Sequence, residues 1–180
     1  MAIEEVQQRL IRVTAVLNAA NIPYAVVGGN AVAEWVGRVD KGAIRFTKDV
    51  DILLRRTDLP RTIEVMAKAG FTFSEALGVP FFLDGPNASP RDAVHVIYSD
   101  EKVKNHDSVP APDVSESERA EKFSVVSLEG LVRMKLEAFR RKDQVHLIDM
   151  LDVGLIDATW LDRLPPQFAL RLKELIDNPE

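Results

Sequence analysis

Two aspartates two residues apart, Asp49 and Asp51, open the apolar run Val50-Asp51-Ile52-Leu53-Leu54. On a strand, positions i and i+2 point to the same face, about 6–7 Å apart. Two carboxylates so placed suit a divalent cation. In a buried strand, two like charges on one face are costly unless a cation compensates them. Upstream, Gly28-Gly29 closes the short apolar stretch Tyr24–Val27. Glycine has no Cβ, so the backbone N–H groups of such a turn can approach a phosphate. Together these devices point to a nucleotide phosphate and its metal. Taken singly, the glycine pair reads as an ordinary turn and the aspartate pair as a solvated edge strand.

Lys135 is the least expected residue. On a helical wheel it falls among Leu128, Leu131, Val132, Ala138 and Phe139, while Glu129, Arg133, Glu137, Arg140 and Arg141 take the opposite side. It is either a lysine whose stem covers core while its ammonium reaches water, or a triphosphate ligand. Asp143 reads first as a helix cap. His95 lies mid-strand in Ala-Val-His-Val-Ile-Tyr, and His146 follows Asp143 by three residues; neither has zinc-motif spacing. Basic residues cluster at Arg38, Lys41, Arg45 and Lys48, and again at Arg140, Arg141 and Lys142. Either patch could take an RNA end or a triphosphate.

The elements that must position these groups follow from periodicity and turn chemistry. Residues 3–20 read as a helix with Val6, Leu10, Val13 and Leu17 on one face, ended by Asn21-Ile22-Pro23. After the strand Tyr24–Val27, Asn30 is expected to cap a helix over residues 31–36. Residues 37–48 form a basic loop and residues 49–54 a strand. Thr57 or Asp58 caps a further helix, with Pro60 in its first turn and Gly70 at its end. Strands are expected over 71–73, 79–83 and 93–98, with turn chemistry at 84–91. Residues 100–121 read as a long loop or a linker. Beyond it come a strand at 123–126, a Ser127-capped helix over 128–141, a helix from Asp143 to Val153 stopped by Gly154, and one or two short helices over 161–176. This divides the chain into a core (1–100), a loop or linker (101–122) and a helical C-terminal part (123–180).

At 180 residues, 46% hydrophobic and 28% charged, the chain is an ordinary globular protein. It has no cysteine, which excludes a disulfide framework, a zinc ribbon and a thiol nucleophile. The charged N-terminal stretch is not a signal peptide, no apolar run reaches the about 20 residues of a membrane span, and a cytoplasmic location is expected. A net charge of −5 argues against a general nucleic-acid coat. A dinucleotide fold would want G-x-G-x-x-G, and the third glycine is missing from GGNAVA; no G-K-[ST] marks a P-loop.

Gly28-Gly29, an intervening helix and Thr47-Lys48-Asp49-Val50-Asp51 together resemble the DNA polymerase beta-type nucleotidyltransferase superfamily. The stretch from Leu131 to Leu151 resembles its abortive-infection (AbiEii-like) toxin branch, which places a lysine on a helix, then an arginine, then Arg-Asp-x-x-Asp. The resemblance implies an α+β fold: a small mixed sheet flanked by helices, with a helical C-terminal part closing one side of a cleft. It implies Mg²⁺ (or Mn²⁺) on Asp49 and Asp51, and NTP phosphates at Gly28, Gly29 and Asn30 with Thr47 and Lys48 beside them. Lys135 would reach the triphosphate, with Arg140 or Arg141 and Asp143 nearby. The implied reaction is nucleotidyl transfer to tRNA or another RNA end, or to a protein hydroxyl. An antitoxin partner follows if the toxin branch applies. The sequence departs from the pattern in three places: His95 stands where the third strand usually supplies an acid, His146 where Arg-Asp-x-x-Asp has its second one, and the spacer between Gly29 and Asp49 is longer than usual. Either His95 serves as the base, or the fold binds a nucleotide without turning it over.

Overall fold

The computed structural model describes residues 3–179. Helix α1 (Ile3–Ala19) buries Val6, Leu10, Val13 and Leu17, the stripe that its periodicity marks out. Strand β1 (Tyr24–Val27) is wholly buried and runs directly into α2 (Gly28–Val39). Strand β2 (Val50–Leu54) precedes α3 (Leu59–Lys68), and β3 (Phe71–Ala76) and β4 (Val79–Asp84) form a hairpin. Strand β5 (Val94–Tyr98) follows, then β6 (Ser117–Arg119), β7 (Ser124–Val126), α4 (Leu128–Ala138), α5 (Arg141–Asp152) and α6 (Pro166–Asp177).

Among the described residues, seven strands form one mixed sheet in the order β3-β4-β5-β2-β1-β7-β6. Strand β2 is central, antiparallel to β1 and parallel to β5. Val13 and Leu17 of α1 and Met66 of α3 surround Ile52, Leu54, Phe82, Val94 and Val96. Successive side chains of a strand alternate, so Asp51, Phe81, His95 and Ile97 face away from α1 and α3. The carboxylates therefore stand on the sheet face opposite those two helices.

Four local expectations change. Helix α2 begins at Gly28 rather than at residue 31, and Asn30 is a buried first-turn residue, not a cap. Neither Thr57 nor Asp58 caps α3 through its side chain; a 3-10 turn at Arg56–Asp58 leads into it instead. Helix α4 stops at Ala138 because Phe139 takes a left-handed conformation (φ 45°). That break lets α5 start afresh at Arg141. The 100–121 segment holds β6, paired antiparallel with β7, and it buries Asp107, Ala111 and Val114. The cap at Ser127 is as expected: its hydroxyl accepts the Gly130 N–H at 3.1 Å.

Candidate functional site

Gly28 has φ +68°, and a Cβ there would overlap the Asp51 carboxylate. Only glycine supplies both the left-handed backbone and the empty space. A Cβ on Gly29 would lie 2.7 Å from that of Thr47. The first turn of α2 and the loop into β2 thus interlock through two missing side chains. The outcome is an aspartate pressed against the N-terminus of a helix, whose first N–H groups have no partner within the helix.

Asp49, just before β2, is fixed by its backbone. Its N–H donates to Thr47 Oγ1 at 3.2 Å, and its carbonyl accepts from Asn30 Nδ2 at 2.8 Å. Gln7 of α1 donates in turn to Asn30 Oδ1 at 3.3 Å. Asn30 and Thr47 hold a carboxylate-bearing residue in place, and Lys48 is exposed with no ion pair among the described residues. The Asp49 side chain meets a residue that motif reasoning did not single out: Lys142, whose Nζ is 3.7 Å from Asp49 Oδ2. The only signal for it was the run Arg140-Arg141-Lys142.

Asp51 and His95 are paired directly across β2 and β5. Their Oδ1 and Nδ1 are 3.7 Å apart, with 22% and 30% of the side chains exposed. The His95 ring packs at 6.4 Å from Phe81, its partner on β4. Burial, then the Asp49 charge, push the Asp51 carboxyl above its usual range, against the pull of His95, Lys142 and Lys135. The site holds more negative charge than it can easily keep.

Lys135 does not reach water. It is 5% exposed, and its ammonium donates to Asp143 Oδ1 at 3.0 Å. Asp143, 1% exposed, also accepts from Arg140 Nε at 2.7 Å and from the Arg140 backbone at 3.2 Å. Burial opposes the Asp143 charge, yet Arg140 and Lys135 together carry the carboxyl below its usual range. Burial pushes the Lys135 ammonium down, against the attraction of Asp143 and Asp51. One carboxylate thus anchors two cations, and the surplus positive charge acts on Asp51. The pKa of His146, one turn further along α5, is driven down to about 4 by burial and by Lys135, and its Nδ1 is buried with no hydrogen-bond partner among the described residues. Arg45 of the basic loop is held to Asp149 of α5 by two bonds of 2.9 and 3.0 Å.

Among the described residues, no group of three or more His, Cys, Asp or Glu could hold a metal. Two carboxylates fit Mg²⁺ when substrate phosphates complete the shell, which is how that ion commonly binds. Burial, and after it the Asp49 charge, raise the Asp51 carboxyl, and a cation bound there would favour its charged form. The donor set therefore suits one Mg²⁺ carried in with a triphosphate. A separate cleft of about 750 Å³ lies between α1 and α2. It touches Asn30 and Thr47 but neither carboxylate.

A mixed sheet with a glycine turn, an adjacent aspartate pair and a helical segment supplying cations defines a nucleotidyltransferase-like protein. The chain belongs to the family described as uncharacterised nucleotidyltransferase, whose model matches residues 2–131. That match covers Gly28 to Asp51 and His95 and stops short of Lys135. No curated protein matches by sequence. In fold, the chain is similar to an antigenic nucleotidyltransferase-like protein from Paracoccidioides brasiliensis, with 16% identity, 98% of this chain and 89% of that chain covered, and a TM-score of 0.61. It is also similar to the antibiotic-resistance factor ANT(2'')-Ia, with 14% identity, 99% and 94% coverage, and a TM-score of 0.56. At these identities the likeness is one of fold. No helix among the described residues is long and apolar enough to cross a membrane.

Proposed function

We propose that this protein binds a Mg²⁺-bound nucleoside triphosphate at Gly28, Gly29, Asp49 and Asp51, and transfers the nucleotidyl group to an acceptor hydroxyl. The observation that carries the reading is the Asp51 carboxylate seated on the Gly28 backbone beside Asp49. Asp49 and Asp51 would hold the ion, which when bound neutralises charge developing on the transferred phosphoryl group. The N–H groups at the start of α2 cradle the outer phosphates. Arg140, anchored on Asp143, and Lys142, both exposed to solvent, supply positive charge at the edge of the site. Lys135, buried against Asp143, stiffens the cationic wall and reaches the triphosphate only if Asp143 gives it up. His95 accepts the proton of the acceptor hydroxyl as its oxygen bonds to the α-phosphorus and pyrophosphate departs. RNA ends and protein hydroxyls are the two acceptor classes in question.

The test is transfer of label from an α-labelled triphosphate, with wild type and His95→Ala. Label that appears with wild type and falls at least a hundredfold in the variant supports the reading, as does unchanged nucleotide affinity. Equal transfer by the variant removes His95 from the mechanism.

A second reading is favoured by His95 and His146 standing where acids are expected: the same fold binds the nucleotide without turnover. Saturable binding with no label transfer to any acceptor would establish it. In a toxin role, supported only by the Leu131 to Leu151 resemblance, expression would arrest growth and Asp51→Ala would relieve it.

A further inference from the structure

Helix α5 meets the loop before β2 at two ion pairs of opposite polarity. Arg45 of the loop is held to Asp149 of the helix by two bonds, at 2.9 and 3.0 Å. Further along the chain, Asp49 faces Lys142 of the helix, with Oδ2 and Nζ 3.7 Å apart. Lys142 and Asp149 are two turns apart on one helix face. The first contact is a bidentate clamp. The second is longer than a hydrogen bond, and its side chains are 41% and 56% exposed. The start of α5 is fixed separately, by the Arg140 backbone N–H and Nε on Asp143. Lys142 therefore does not hold the helix in place: its backbone is anchored and its ammonium is loose.

That ammonium stands on a carboxylate which the nucleotide reading needs for Mg²⁺. Two lysines act on Asp51, Lys135 and Lys142, and they differ in freedom. Lys135 is 5% exposed and donates to Asp143 at 3.0 Å, so moving it breaks a buried pair. The Lys142 ammonium has no other ion pair or hydrogen bond among the described residues, and an exposed contact of this kind is readily given up. Asp51 has no ammonium within ion-pair distance among the described residues, only His95 at 3.7 Å. A divalent ion shared by both carboxylates would set its charge against Lys142. A triphosphate arriving with that ion offers the ammonium oxygens to bind.

We infer that Lys142 is a displaceable counter-ion of the nucleotide site: it covers Asp49 while the site is empty, disfavours a free divalent cation on the aspartate pair, and moves onto the phosphates when metal and triphosphate enter together. This rests on the nucleotide-binding part of the proposed function and adds an order to it. The ion is taken up with the triphosphate, not ahead of it. One side chain opposes the bare ion and favours the loaded nucleotide, so its removal shifts the two affinities in opposite directions. A lysine that merely binds phosphate, or one in an idle surface pair, would not do this.

The experiment compares wild type, Lys142→Met, Lys142→Arg and Lys68→Met by calorimetry, with Mn²⁺ alone and with ATP, GTP, CTP and UTP in the presence of Mg²⁺. Lys142→Met should bind Mn²⁺ alone about fivefold more tightly than wild type, and the preferred triphosphate about fivefold more weakly. Lys142→Arg keeps the charge and should behave as wild type in both titrations. Lys68 pairs with Glu64 on α3, on the other face of the sheet, so Lys68→Met controls for the loss of one positive charge and should change neither affinity. Mn²⁺ affinity no tighter in Lys142→Met overturns the counter-ion role, even where triphosphate affinity falls. Unchanged triphosphate affinity overturns the hand-over to phosphate. In both cases wild type still binds triphosphate and the nucleotide site stands. If wild type binds no triphosphate, the nucleotide reading falls and this inference with it.

Discussion

The Asp51 carboxylate rests on the Gly28 backbone, where any side chain would collide with it. Gly28→Ala meets both the clash and a φ of +68°. It should lose about 1–2 kcal/mol from backbone strain alone, and nucleotide affinity should drop at least tenfold as Asp51 is displaced. Gly70→Ala is the control, because Gly70 has φ +91° with open space around it. It should cost similar stability in urea melts and leave nucleotide binding unaltered.

The buried Lys135–Asp143 pair makes unequal demands on its two members. Removing one partner of a buried pair costs about 3–5 kcal/mol. Lys135→Met leaves Asp143 with Arg140, so its loss should lie at or below the lower end of that range. Asp143→Leu strands a buried ammonium and should cost more. The double variant should be more stable than the two single losses added together. Urea midpoints of the four proteins measure this.

His146 gives a pH dependence with a defined sign. Its pKa falls from 6.5 to about 4 in the folded chain. Between these values the unfolded chain binds more protons, so stability declines as pH falls from 6.5 to about 4 and then levels off. The full shift would be worth about 3 kcal/mol, and partial exposure reduces this to about 1–2 kcal/mol. His146→Phe should flatten that part of the curve, read as the wild type minus variant difference in melting temperature between pH 7 and 4.

The fold was legible wherever a periodic apolar pattern ran long enough to repeat. Helix α1, the strands flanking the glycine pair and the Ser127 cap all follow from local chemistry. Strand β6 did not, because Ser117-Glu118-Arg119 has no apolar residue, so nothing in its own pattern marks the pairing with β7. The start of α2 was obscured because Gly28 and Gly29 read as a turn, yet the glycines are needed for Asp51 and Thr47 to approach. Lys135 was visible as an anomaly, but its partner lies eight residues on, beyond the left-handed break at Phe139. The facing of Asp51 and His95 depends on a parallel pairing between strands 44 positions apart in register. Lys142 beside Asp49 depends on how α5 is placed against the start of β2. Local spacing encodes neither.

The most direct measurement is calorimetric titration of ATP, GTP, CTP and UTP with Mg²⁺, for wild type and for Asp49→Asn/Asp51→Asn. Wild type should bind at least one triphosphate in a Mg²⁺-dependent manner. The double variant should lose at least a hundredfold in affinity while melting no lower than wild type. The second expectation follows from sign: burial and Asp49 raise the Asp51 carboxyl, so removing the charges at neutral pH relieves the metal-free fold. Undiminished binding by the double variant, or no binding of any triphosphate by wild type, would contradict the site.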